Sequence, residues 1–178
     1  GTIAADTVAK AAPDGYTLLQ NSITTHGVGP HIYTRLPYDP VKDFTPVSGL
    51  AVLPLVMSIN AGLPYKSVKE VIEASKAAPL TFPSWGSGGA PHMAAELFKS
   101  ATGANLTHVP YKGSGPAVAD LVAGRVQIMF DAAPSLLGNI QAGKLRALAA
   151  ASAGRNPVLP DAPTFAVLRW PKVEVSLW

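Results

Sequence analysis

The chain of 178 residues contains no cysteine, which excludes disulfides and cysteine-ligated metal sites and leaves the compartment open. Charge is also scarce: Asp, Glu, Lys and Arg make up 14% of the chain, with a formal net charge of +3. The basic residues are scattered rather than gathered into a stripe, so nucleic acid is not an expected partner. No apolar run approaches the ~20 residues that a membrane helix needs. The four histidines, His26, His31, His92 and His108, form no pair at helical spacing, which argues against a helical metal site. The few carboxylates are not paired for acid–base work. No cofactor is expected. What the chain does have is apolar content, 48%, with 17 prolines and 16 glycines, enough for a core built of short elements broken by turns.

Element signals follow one another closely. Residues 3–11 read as a helix, Pro13-Asp14-Gly15 as a turn and residues 16–20 as a short strand. Val47 to Ile59 is mostly apolar and reads as a strand pair or a crossover between domains. Ser67-Val68-Lys69-Glu70 is a capping box ahead of an apolar helical stripe. Strands are expected over 80–83, 105–109, 126–130 and 145–151, and helices over 91–102, 116–124 and 134–142. Residues 173–178 read as a final strand. Strands alternating with helices predict βαβ units and a parallel sheet. Ligands of such sheets bind beyond the carboxyl ends of the strands. Three loops hold that position, at 84–90, 110–115 and 131–133, each leading into a helix with proline near its first turn.

The most informative run is Ser84-Trp85-Gly86-Ser87-Gly88-Gly89-Ala90-Pro91-His92. Its glycines permit a sharp turn that exposes N–H groups, and Pro91 suits a first helical position. The helix that follows aims unpaired N–H groups and its positive dipole end at the loop, which suits a carboxylate or a phosphate. The run is not a dinucleotide fingerprint, because Pro91 stands where glycine or alanine is needed, nor a nucleophile elbow, because Trp85 does. Gly138 to Lys144 resembles a phosphate-binding loop but continues into Leu145 rather than Ser or Thr. His92 either touches a ligand or orders the loop, and His26 has the same two readings; His108, inside a strand, reads as structural. Asp131 pairs with an ammonium, orders water around a ligand or caps the next helix. Tyr111 supplies a hydroxyl or packs, Lys112 meets an anion or solvent, and Trp85 forms a ligand wall or packs beneath the loop.

Several motifs occur in a fixed order: Pro13-Asp14-Gly15-Tyr16-Thr17-Leu18-Leu19, Leu36-Pro37-Tyr38-Asp39-Pro40, Lys42-Asp43-Phe44-Thr45-Pro46-Val47, His108-Val109-Pro110-Tyr111-Lys112-Gly113, Ala142-Gly143-Lys144-Leu145-Arg146-Ala147-Leu148 and Leu159-Pro160-Asp161-Ala162-Pro163-Thr164. With them the chain resembles, over essentially its whole length, the Bug family of extracytoplasmic solute receptors of tripartite tricarboxylate transporters. The resemblance implies an α/β, type II periplasmic binding protein fold: two domains with mainly parallel sheets flanked by helices, here truncated at both ends. Residues 1–56 are then an incomplete first domain and 57–178 a second domain with hinge crossover segments. It implies a periplasmic receptor, not an enzyme, that captures a small organic acid (a di- or tricarboxylate, an acidic amino acid or an aromatic acid) and delivers it to membrane permease subunits. By the same resemblance the ligand contacts are Ser84, Gly86, Ser87, Gly88, Gly89 and His92, with Tyr111, Gly113 and Asp131 behind them, and Ser22, Thr24, Thr25 and His26 from the first domain. The rival readings are an α/β enzyme acting on an anionic small molecule and a ligand-sensing module for a signalling partner.

Overall fold

A computed structural model describes all residues, Gly1–Trp178. The chain divides into two compact units, Gly1–Val52 with Leu177–Trp178, and Leu53–Ser176.

The first unit carries helix α1 (Thr2–Ala9), a π-helical turn over Thr24–Val28 and a single turn of helix, α2 (Gly29–Ile32). The strand expected over 16–20 does not form: no neighbouring strand takes up its backbone groups, and Tyr16 is 92% and Leu18 71% exposed. Little of this unit is sealed from solvent beyond Ala5, Thr25, Gly29 and Tyr38.

The second unit is built on β1 (Leu53–Asn60), α3 (Val68–Ala77), β2 (Leu80–Ser84), α4 (Ala90–Thr102), β3 (Leu106–Pro110), α5 (Ser114–Val122), β4 (Ile128–Ala132), α6 (Ala133–Gln141) and β5 (Leu145–Ala150). β2 and β3 pair in parallel, from Leu80 opposite Leu106 to Ser84 opposite Pro110. β1 lies between β4 and β5 and runs antiparallel to both, so those two strands share one direction and β1 is reversed. The parallel order expected from the βαβ pattern is found between β2 and β3, while β1 enters its sheet antiparallel, without a helical crossover before it. Buried on both sides, its residues Leu55 to Ile59 form a continuous closed run rather than an alternating one. Gln127 ties β2 to β4: its N–H donates to the Thr81 carbonyl and its Oε1 accepts from the Thr81 N–H at 2.8 Å. The strand expected over 173–178 shortens to Ser176–Leu177, while the Val175 N–H donates to the Ala151 carbonyl and its own carbonyl accepts from Leu55.

Helices form where the sequence marks them. α3 begins on the capping box, with the Ser67 hydroxyl accepting the Glu70 N–H. α4 ends on Gly103 at φ +71°, a left-handed cap that glycine takes without a Cβ penalty. α4 buries Ala94, Ala95 and Phe98, and the Phe98 ring packs against Phe130 and Phe165 with centroids 5.8 and 5.7 Å away. A second apolar cluster of Ala117, Leu121, Val126, Met129, Leu136 and Leu145 lies under the loops that end β2 and β3, with Trp85 and Tyr111 packed on it. These two cores fix the strand ends and therefore the loops. No helix is long and apolar enough to cross a membrane.

Candidate functional site

The loop after β2 is held by its own side chains. Ser84 has no solvent exposure. Its hydroxyl donates to the Gly86 carbonyl at 2.8 Å and accepts the Gly86 N–H at 3.1 Å. His108 Nε2 stands 2.6 Å from the same oxygen. With the hydroxyl proton committed to Gly86, that nitrogen is the donor, so His108 carries a proton on Nε2. Burial, then the nearby His92 and Lys99, hold its pKa below the usual imidazole range, with Glu96 opposing. Gly86 at φ +132° and Gly88 at φ +77° require the freedom of glycine.

The free donors differ from those expected. Gly86 gives its N–H to Ser84, Gly88 gives its N–H to His92 Nδ1 at 2.9 Å, and Gly89 gives its N–H to the Gly86 carbonyl at 3.2 Å. The loop consumes all three. The N–H groups of Ser87, Ala90 and His92 have no partner within the protein. Ala90 and His92 lie in the first turn of α4, whose 13 residues align their peptide dipoles behind them. The unpartnered N–H groups are therefore those of Ser87, Ala90 and His92, whereas the Ser84 hydroxyl and the N–H groups of Gly86, Gly88 and Gly89 are engaged within the loop. Sequence alone does not name these atoms, since the choice depends on where the Ser84 and His92 side chains turn.

The neighbouring loops are joined to this one. Tyr111 donates its N–H to the Ser84 carbonyl at 2.8 Å. Its hydroxyl donates to Asp120 at 2.7 Å, on the flank of α5, so the ring packs and its OH is engaged away from the loop. Gly113 turns at φ +130° into α5. Lys112 is exposed and forms no ion pair. Asp131 is fully buried; one oxygen accepts the Ser114 hydroxyl at 2.5 Å and the other the Ala132 N–H at 2.7 Å. The Trp85 indole N–H lies close enough to favour the charged carboxylate but forms no hydrogen bond of ordinary geometry. Burial outweighs these donors and raises the Asp131 pKa. Asp131 thus joins β4 to the start of α5, and the Tyr111 hydroxyl is engaged by Asp120. Ser114, not singled out in the sequence, is the partner that explains Asp131. No group of three or more metal-ligating side chains gathers to hold an ion.

In the first unit, Ser22, Thr24, Thr25 and His26 share one turn. The Ser22 hydroxyl accepts the Thr24 N–H at 3.4 Å, and Thr25 is buried with its hydroxyl bonded to Asn21 and to the Ser22 carbonyl. Tyr38 donates its hydroxyl to the Thr25 carbonyl at 3.2 Å. The His26 ring meets Phe44 edge-on at 4.6 Å, and burial lowers its pKa.

The segment after β2 thus sets unpartnered N–H groups at the start of a helix, at the strand ends of an α/β unit. The family model of the tripartite tricarboxylate transporter family receptor, TctC, matches residues 1–178, and the chain belongs to this family of periplasmic solute-binding proteins. It is similar to a solved R. palustris protein, Rpa4515 with adipate, at 38% identity and a TM-score of 0.93 over 100% of this chain and 60% of that one. It is similar to MatC from Rhodopseudomonas palustris with bound malate, at 34% identity and a TM-score of 0.90 over 99% and 61% of the two chains. The periplasmic binding protein BugD matches at 32% identity and a TM-score of 0.90 over 99% and 60%. The chain spans 54% and 56% of the length of two curated relatives that it matches at 42% and 40% identity. The fold expected from the resemblance is therefore the one found, and the family and its structural neighbours are solute-binding proteins, not enzymes.

Proposed function

We propose that this chain is the ligand-gripping part of a periplasmic receptor that captures a small organic carboxylate and passes it to the membrane subunits of a tripartite tricarboxylate-type transporter. The observation that carries the reading is the trio of unpartnered N–H groups at Ser87, Ala90 and His92, on a loop where Gly86, Gly88 and Gly89 have already engaged theirs. A carboxylate replaces water at donors already aimed outward, so little reorganisation is needed. Adipate and malate, held by two similar proteins, are both dicarboxylates. Hydrogen bonds to a charged acceptor contribute roughly 1.5–3 kcal/mol each. Three give at most about 9 kcal/mol, against an association cost of roughly 4–15 kcal/mol. The loop thus anchors one carboxylate, and the rest of the affinity comes from further contacts. The family assignment favours transport over the rival of a sensing module.

The test is thermal unfolding against a panel of dicarboxylates that includes adipate and malate. An acid at one hundred times its Kd stabilises by about 2.7 kcal/mol, which raises the Tm by about 5–10 °C for a chain of this size. Gly88→Val places a β-branched residue at φ +77° and reshapes the loop, so the shift disappears in that variant. An equal shift in Gly88→Val overturns the placement of the ligand.

A further inference from the structure

His92 and His108 do more than fill space behind the loop. The rings of Phe82, His108 and His92 form a stack across β2, β3 and α4, with centroids 5.0 Å apart for the first pair and 4.1 Å for the second. Each histidine holds one half of the loop through a different atom. His108 Nε2 fixes the Ser84 hydroxyl, which in turn fixes Gly86 at both its N–H and its carbonyl. His92 Nδ1 accepts the N–H of the buried Gly88. The two glycines so held flank Ser87, whose N–H is one of the free donors.

We propose that His92 and His108 are a positioning pair that sets the loop in its anion-gripping form only while the His92 ring is neutral, a role that rests on the carboxylate reading above. An imidazolium has two N–H donors and no acceptor. A proton on His92 Nδ1 therefore turns the acceptor of Gly88 into a second donor facing it, and the turn around Ser87 loses its hold. A proton on either ring also places a charge 4.1 Å from the other ring's centre. The charged groups around His92 are few. Glu96 on α4 stands 3.8 Å from Nε2 and is itself paired to Lys99 at 2.8 Å, His108 faces it from β3, and Phe82 from β2 carries no charge.

The experiment compares the whole chain with His92→Asn and His92→Leu. Asparagine presents an oxygen near the position of Nδ1 and does not titrate; leucine has no acceptor. Binding of adipate and malate is measured by calorimetry between about pH 7.5 and about pH 5.5, the range in which imidazoles ordinarily titrate. The Gly88 amide resonance is followed over the same range without ligand. The wild-type chain is expected to lose about tenfold in affinity on acidification, roughly the worth of one such hydrogen bond. His92→Asn loses the pH dependence beyond that of the acid's own ionisation. His92→Leu binds weakly at both ends of the range. A Gly88 resonance that moves on acidification when neither acid binds supports the pair and contradicts the carboxylate reading. Tight binding by His92→Leu with an unmoved Gly88 resonance overturns the pair and leaves that reading standing. A wild-type affinity that rises on acidification, as simple attraction of the anion to an imidazolium requires, also overturns it.

Discussion

Asp131 ends β4 with no solvent exposure, and burial holds its carboxyl above the usual range in spite of the Ser114 and Ala132 donors. The folded chain then binds this proton more tightly than the unfolded chain does. Its favourable contribution is complete below the unfolded carboxylate pKa and is lost as pH rises through the raised folded value. Asp131→Asn keeps an acceptor for Ala132 and removes the titration. Relative to this variant, the wild-type chain is expected to lose stability from acid toward neutral pH, so urea midpoints of the two chains diverge in that direction. Taking the difference cancels the opposing trend of Asp39, Glu70 and Asp120, whose carboxyls are held below the usual range by hydrogen bonds. A constant difference across the range contradicts the assignment. At this scale the sequence was half legible. Gly86, Gly88 and Gly113 stand where positive φ is required, and a glycine-rich turn announces that. Which N–H groups remain free was hidden, because Gly88 is engaged by a ring four residues on and Ser84 by one 24 residues on.

Among the elements, those with local punctuation were readable. Proline in the first turn of α4 and α6 and glycine at the end of α4 mark boundaries that the backbone obeys. The capping box of α3 closes one residue early: the Ser67 hydroxyl accepts the Glu70 N–H at 3.2 Å, and the Glu70 carboxylate accepts the N–H of Lys66, the residue before the cap, at 2.9 Å. Ser67→Ala is expected to cost about 1 kcal/mol of stability, read from denaturant unfolding. It leaves carboxylate affinity unchanged, because α3 contributes nothing to the loop after β2. Weaker binding in this variant contradicts that separation. The direction of β1 was not readable. Its apolar run suits any central strand, and its reversal depends on which neighbours the sheet offers. The expected strand at 16–20 failed for a related reason, since β character needs a partner that local sequence does not supply.

For the molecule, packing and site belong to one arrangement in the second unit. The phenylalanine cluster under α4 and the apolar cluster under Trp85 and Tyr111 set the ends of β2, β3 and β4, and hydrogen bonds among residues 84, 86, 88, 92, 108, 111, 114 and 131 turn those ends into a fixed surface. Family membership was legible because turn motifs such as Leu36-Pro37-Tyr38-Asp39-Pro40 carry backbone constraints that few chains share in that order. The identity of the acid was not, since backbone donors recognise any carboxylate. The most direct measurement is a titration of isotope-labelled protein with dicarboxylates, adipate and malate among them, followed through backbone amide resonances. The amides of Ser87, Ala90 and His92 are expected to shift downfield together and saturate with a single Kd, as hydrogen bonds to a carboxylate require. An acid that saturates the protein while leaving those three resonances in place would contradict the account.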